Sequence, residues 1–116
     1  MGSDFMKYFV CDNERKGTCY HEFYKGKWDE KTFWKEDSIF LHDDIMFENK
    51  GFVDAIVKAV PTYAKYGVTE ISLEEWEKIG LNIMLKDEIS QEIYCEADIW
   101  VKEVFKEYEC FTILGI

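Results

Sequence analysis

The sequence predicts a single α+β domain in which helices pack on one face of a mostly antiparallel sheet. A length of 116 residues suits one domain, and a hydrophobic content of 47% is ordinary for a folded chain. Strand-like and helix-like patterns follow one another in the order β-β-β-α-β-α-α-β. Residues 1–5 look like an expression-tag remnant with Met6 as the native start, so the predicted domain covers residues 6–116.

Three strands are predicted in the first half of the chain. Residues 7–11 are aromatic and β-branched, and the polar stretch 12–17 ends in Lys-Gly, a turn signal. Residues 18–24 alternate well enough to pair back on the first strand as a hairpin. Residues 28–34 fit either another strand or an irregular loop, and residues 38–41 fit the third strand.

Helical periodicity begins after this third strand. Asp44 can cap a short helical segment, and Phe52, Ile56 and Val60 then recur at i, i+4 and i+8. Pro61 ends or kinks this helix, because proline lacks the amide hydrogen that the next turn needs. The pattern predicts a helix with one narrow apolar face.

A brief strand and a capped helix follow. Residues 68–71 are β-prone, and Ser72 with Glu75 forms a capping box, in which each side chain accepts a hydrogen bond from the other residue's amide. The apolar residues that share one face of the following helix are Trp76, Ile79 and Ile83.

A long helix over residues 87–108 and a closing strand over residues 110–116 complete the predicted fold. Apolar residues recur at helical spacing over five turns of this helix. They are Ile89, Ile93, Ala97, Trp100, Val101, Val104, Phe105 and Tyr108. The last seven residues are mostly apolar and β-prone, so we expect the closing strand inside the sheet.

The charge of the chain is strongly negative and uneven. The net charge is −10, and residues 51–116 hold 13 Asp/Glu against 6 Lys/Arg. Five acidic side chains and no basic one fall between Asp87 and Asp98. Nucleic acid and anionic membranes are disfavoured as direct ligands, because phosphate binding draws on clustered Lys and Arg. An acidic helix face suits a binder of basic surfaces; the alternative is a solvated face that only maintains solubility.

Candidate groups for catalysis or metal binding are few. His21 and His42 are the only histidines, and Cys19 with His21 could form a thiolate–imidazole pair. The four cysteines show no CxxC spacing, and no Gly-rich phosphate loop, GxSxG or HExxH motif occurs. We therefore predict no catalytic residue, no metal site and no cofactor. No apolar run reaches the roughly 18 residues of a membrane span, and no secretory signal is visible, which favours a cytoplasmic protein.

The chain resembles small acidic bacterial immunity proteins in two segments, YGVTEISLEEWEKI at residues 66–79 and CFTILGI at residues 110–116. Such proteins accompany polymorphic toxins, including those of contact-dependent growth inhibition. The resemblance implies a cytoplasmic, non-enzymatic inhibitor that occludes the active site of a cognate toxin C-terminal domain, often a basic nuclease. The resemblance does not assign a binding role to any individual residue of this chain.

Eight carboxylates are the candidate partner-binding residues. On the final helix they are Glu88, Glu92, Glu96, Asp98 and Glu103, and a second patch comprises Glu70, Glu74 and Glu77. An acidic protein can fill the positive cleft of a nuclease as a mimic of the phosphate backbone, and opposite charge speeds the association. Two other hypotheses stay open: a small adaptor or regulatory module that binds another cellular protein, and a small enzyme that uses Cys19, His21 or His42.

Overall fold

The computed structural model describes residues 6–115, in which a five-stranded sheet packs against four helices. The strands are β1 (Phe9–Val10), β2 (Tyr20–Lys25), β3 (Ile39–His42), β4 (Val68–Ser72) and β5 (Cys110–Leu114). The helices are α1 (Asp43–Glu48), α2 (Lys50–Ala59), α3 (Leu73–Ile83) and α4 (Glu88–Val104). The predicted α+β class is confirmed. The expected tag remnant at residues 1–5 and the last residue, Ile116, lie outside the described residues.

The strands lie in the order β1-β3-β2-β5-β4, and each neighbouring pair is antiparallel. The closing strand β5 therefore lies inside the sheet, between β2 and β4, as predicted. The predicted hairpin of the first two strands is wrong, because β1 pairs with β3 and places Phe9 opposite Leu41. Residues 11–19, which include a 3-10 turn, connect β1 and β2 across two strand spacings, about 10 Å.

The helix predictions hold in the middle of each helix and differ at some ends. The capping box of α3 is confirmed: the Ser72 hydroxyl accepts from the Glu75 amide at 3.2 Å, and the Glu75 carboxylate accepts from the Ser72 amide at 2.9 Å. His42 caps α1 instead of Asp44, since its Nδ1 accepts from the Asp44 amide at 3.0 Å. Two helices, α1 and α2, stand where the predicted order had one.

The last helix is shorter than predicted. It ends at Val104, and the amides of Lys106 and Glu107 bond to carbonyls three residues back instead of four. This tightening ends the α-helix, although the apolar spacing in the sequence continues to Tyr108.

The hydrophobic core lies between one face of the sheet and the helices. Phe23, Leu41 and Phe111 from the sheet are fully buried in the same cluster as Trp76 and Ile93 from the helices. This arrangement confirms the predicted packing of helices on one face.

The opposite face of the sheet is covered by residues 26–38. The Trp34 ring lies 5.6 Å from the Phe40 ring, and the Thr112 hydroxyl donates to the Gly26 carbonyl at 2.8 Å. The segment 28–34, which fitted a strand or a loop, is therefore a loop packed on the sheet.

Candidate partner-binding site

Glu96 on α4 holds the N-terminal segment against the helix. Its Oε1 accepts from the amides of Tyr8 at 2.8 Å and Phe9 at 2.7 Å, and its Oε2 accepts from the Lys7 amide at 2.7 Å. A carboxylate that accepts three backbone N–H groups makes strong, charge-assisted hydrogen bonds. Glu96 therefore anchors β1 to the helix layer through neutral amides, and no cationic side chain among residues 6–115 pairs with it.

Glu92 lies one turn before Glu96 and contacts the same segment. The Tyr8 hydroxyl donates to its Oε1 at 2.5 Å, and the Lys7 ammonium lies 3.6 Å from that oxygen. The hydrogen bond from Tyr8 lowers the pKa of Glu92. Because the contact is open to solvent, it adds little to stability.

The two remaining acids in the second half of α4 also have partners within the chain. Asp98 accepts from the indole Nε1 of Trp76 at 2.8 Å and pairs with Lys102 at 3.0 Å. Glu103 pairs with Lys106 at 2.8 Å on the surface. Four of the five candidate carboxylates of α4 thus have partners within the chain, and for three of them, Glu92, Asp98 and Glu103, a partner is a lysine. Their role in partner binding stays a prediction.

Four candidate carboxylates are exposed and have no hydrogen-bond or ion-pair partner among residues 6–115: Glu70, Glu74, Glu77 and Glu88. Glu74 and Glu77, at i and i+3, share the exposed side of α3. Glu88 opens α4, and Glu70 lies on the edge strand β4. Glu74 and Glu88 lie in the first turns of α3 and α4, a position that favours acidic residues because of the helix dipole. These charges are available to a partner.

An apolar groove between α3 and α4 adjoins this acidic surface. Its volume is about 340 Å³. Its lining residues are Glu77, Gly80, Leu81, Ile83, Met84, Gln91, Tyr94 and Cys95. Leu81 and Met84 are 69% and 70% exposed, and the adjacent Leu85 is also exposed. Clustered exposed side chains of this size are typical of an interaction surface.

Close packing of α3 on α4 forms the floor of the groove. The Tyr94 ring stacks on the Trp76 indole at 4.4 Å, and its hydroxyl donates to the Trp76 carbonyl at 3.2 Å. A Cβ at Gly80 would collide with the Tyr94 hydroxyl, so glycine permits this approach. Burial raises the pKa of Tyr94, which keeps the hydroxyl protonated as a donor.

A second, half-open cavity of about 420 Å³ lies beneath the loop on the other face of the sheet. Its lining residues are Thr18, Tyr20, Glu22, Phe33, Trp34, Leu114 and Gly115. Glu22 lies on β2 with an exposed fraction of 2%. It is absent from the predicted site residues, because a single acid within an aromatic strand resembles, in sequence, a solvent-facing residue.

The residues of the enzyme hypothesis do not converge. His21 faces the helix layer with Nε2 2.8 Å from Asp43, whereas His42 faces the opposite side of the sheet and lies against Tyr20. Burial lowers the pKa of His21. Cys19 is exposed, and none of the four cysteines forms a disulfide.

Within residues 6–115, no group of three or more His, Cys, Asp or Glu side chains is arranged to hold a metal ion. In the same range, no helix combines the length and apolar character needed to cross a bilayer. Comparison of the chain with known protein families, curated proteins and solved structures found no match.

Proposed function

We propose that this protein is a non-enzymatic inhibitor of the bacterial immunity class. It binds the C-terminal domain of a cognate toxin in the cytoplasm and covers that domain's active site. The observation that carries the proposal is the exposed surface of α3, where Glu74 and Glu77 have no ion-pair partner among residues 6–115 and lie beside the apolar groove at Leu81 and Met84. A basic nuclease is the toxin class that this chemistry fits.

In such a complex, charge mainly affects the association rate and apolar contact mainly affects the dissociation rate. Carboxylates without internal partners attract a positive cleft over a distance and raise the association rate. Apolar side chains that fill a groove slow dissociation, because binding energy concentrates in a few well-packed residues. The α3 surface supplies both, whereas Glu96 and Asp98 on α4 are occupied by the chain's own amides and indole. The binding face is therefore centred on α3.

The test is co-expression with a candidate toxin domain, taken from the variable C-terminal domain of any large secreted protein that is found encoded immediately upstream. The wild-type chain should restore growth. The triple variant E74Q/E77Q/E88Q should bind the purified toxin domain with an association rate about tenfold lower at low salt, since three steering charges are removed. Stopped-flow or surface-based kinetics measures this rate.

A matched control removes the same number of charges from residues outside α3 and α4. Glu48, Asp54 and Glu107 are exposed and have no ion-pair partner among residues 6–115. The variant E48Q/D54N/E107Q should associate within about twofold of the wild type. Equal losses in the two triple variants would mean that net charge acts without a docking face, and would contradict the proposal.

The adaptor hypothesis predicts a different outcome on the same surface. The exposed Leu81, Met84 and Leu85 also suit the apolar side of a partner helix. An adaptor would bind a cellular protein through this groove with weak dependence on salt and would give no protection against the toxin domain. Protection in the growth assay together with a steep salt dependence favours the inhibitor.

A further inference from the structure

The cavity beneath the loop 26–38 has the chemistry of a cation site. We propose that it binds a single alkylguanidinium or alkylammonium group, the side-chain chemistry of arginine or lysine, with the Glu22 carboxylate as the charged partner. This site is on the sheet face opposite the helix layer, and its occupancy does not depend on the function proposed above.

The first support is the bonding of Glu22. Its Oε2 accepts from the Lys35 amide at 3.0 Å and the Ser38 hydroxyl at 2.7 Å. Among the described residues, the one donor to its Oε1 is the Trp34 amide at 2.8 Å. A carboxylate oxygen can accept two hydrogen bonds. Oε1 therefore keeps capacity for one more donor while the side chain lines the cavity.

The second support is the lack of an internal counter-charge. No Lys, Arg or His nitrogen of residues 6–115 lies within ion-pair distance of Glu22. The nearby cations have other partners: Lys35 lies near Asp37 and over the Tyr24 ring, and Arg15 pairs with Asp12. A carboxylate that is 2% exposed and balanced only by neutral donors gains from a bound cation.

The third support is the aromatic lining. Tyr20, Phe33 and Trp34 line the cavity together with Leu114. Aromatic ring faces attract cations, and apolar walls suit the methylene stem of a long basic side chain. The Arg15 guanidinium already occupies one face of the Trp34 ring, 3.8 Å from the ring centre, so a further cation would use the remaining aromatic surface of the cavity.

The backbone holds this lining in place. Trp34 has a φ of 59°, in the left-handed region, which is unfavourable for a residue other than glycine. The hydrogen bond from its amide to Glu22 offsets that cost and fixes the indole at the cavity. Such strain is maintained only where the surrounding contacts enforce it, and it is common at binding sites.

The test is an NMR titration of the whole chain with N-butylguanidinium, with 1-pentanol as the neutral counterpart of similar shape. The Trp34 and Lys35 amides should show saturable shifts with the cation, and binding of the alcohol should be at least tenfold weaker. Sodium chloride at equal ionic strength is the salt control. Equal binding of cation and alcohol, or no saturable shift at tens of millimolar cation, would overturn the proposal.

Two variants locate the site. E22Q removes the charge and should weaken cation binding at least tenfold. Because this change also alters the loop bonds, F33A provides a second test: Phe33 is 51% exposed, so its loss leaves the core intact and should weaken binding several-fold. L81A, on the far helix layer, should bind as the wild type does. Unchanged binding in F33A and E22Q would place the cation elsewhere and refute the assignment.

Two ligands distinguish the biological sources of the cation. If Nα-acetyl-arginine amide binds as tightly as free arginine, the site takes a side chain presented by a peptide or protein. If free arginine binds at least tenfold more tightly, the site takes the amino acid itself. Failure of both ligands where N-butylguanidinium binds would contradict the proposed side-chain chemistry.

Discussion

At the scale of single residues, the structure separates carboxylates that bind the chain itself from carboxylates that remain exposed. Glu92 and Glu96 stand at i and i+4 without an intervening lysine, and the sequence alone presents them as surface charges. Their partners, Lys7 to Phe9, lie more than eighty residues away in the chain. The pattern of neighbouring residues in the sequence does not predict a contact between residues so far apart. The candidate site could therefore be predicted from the sequence only for acids that lack such contacts, such as Glu77.

Glu96 should be the carboxylate of α4 that stabilises the fold most. E96A leaves three backbone amides without their acceptor, so we expect the free energy of unfolding to fall by about 2–3 kcal/mol. The control E103A removes an exposed pair with Lys106 and should change it by less than about 1 kcal/mol. Urea denaturation measures both. Hydrogen exchange at Tyr8 and Phe9 should quicken in E96A alone, and equal costs in the two variants would contradict the anchoring role.

His21 should make stability depend on pH near neutrality. Burial lowers its pKa in the folded state below the ordinary value of 6.5, so the unfolded chain binds a proton more readily than the folded chain does. The free energy of unfolding should therefore be highest above about pH 6.5 and fall as the pH decreases toward the folded pKa. H21Q, which does not titrate, should flatten this decrease between about pH 7 and pH 5. Urea midpoints across that range measure it, and an unchanged slope in H21Q would exclude the buried imidazole as the cause.

At the scale of elements, local signals predict what local forces determine. The capping box of Ser72 and Glu75 involves bonds between residues three apart, and it forms as the sequence predicts. Strand pairing depends on residues far apart in the sequence. The alternation in residues 18–24 predicts a strand but does not predict which strands pair with it, and the expected hairpin with β1 is wrong because both β1 and β2 pair with β3. No glycine or proline marks the end of α4 in the sequence. The apolar spacing alone therefore predicts a helix that continues to residue 108, beyond its observed end.

The close approach of α3 to α4 should require a residue without a side chain at Gly80. G80A gains about 1 kcal/mol of helix propensity but places a Cβ against the Tyr94 hydroxyl, and overpacking of this kind costs about 1–3 kcal/mol. We expect a net loss of stability of about 1 kcal/mol. In the double variant G80A/Y94F the loss should be smaller than the sum of the single losses, because the colliding oxygen is absent. Additive losses in this double-mutant cycle would show that the two residues do not limit each other.

At the scale of the whole molecule, the net charge of −10 acts against folding and in favour of binding a cationic partner. Asp98 and Glu103 pair with lysines within the fold, whereas Glu70 and Glu77 are exposed acids without an ion-pair partner among residues 6–115. Composition predicts the sign of this field, but its location depends on which acids the tertiary structure neutralises. Exposed acids also lie on other elements, as Glu48 and Glu107 do, so the proposed binding face on α3 is distinguished by the apolar groove beside Glu77.

Added salt should therefore have opposite effects on the stability of the free protein and on its rate of association with a basic partner. Raising sodium chloride from about 0.1 M to about 1 M shortens the Debye length from about 10 Å to about 3 Å, so repulsion among exposed acids weakens. The free protein should become more stable in urea titrations, while its association with a basic toxin domain should slow. E70Q/E77Q, which keeps the first-turn acids Glu74 and Glu88, should be more stable than the wild type at low salt by a few tenths of a kcal/mol and should associate more slowly. If the variant is less stable and binds equally fast, then these carboxylates serve the fold, and the acidic surface is not where the partner docks.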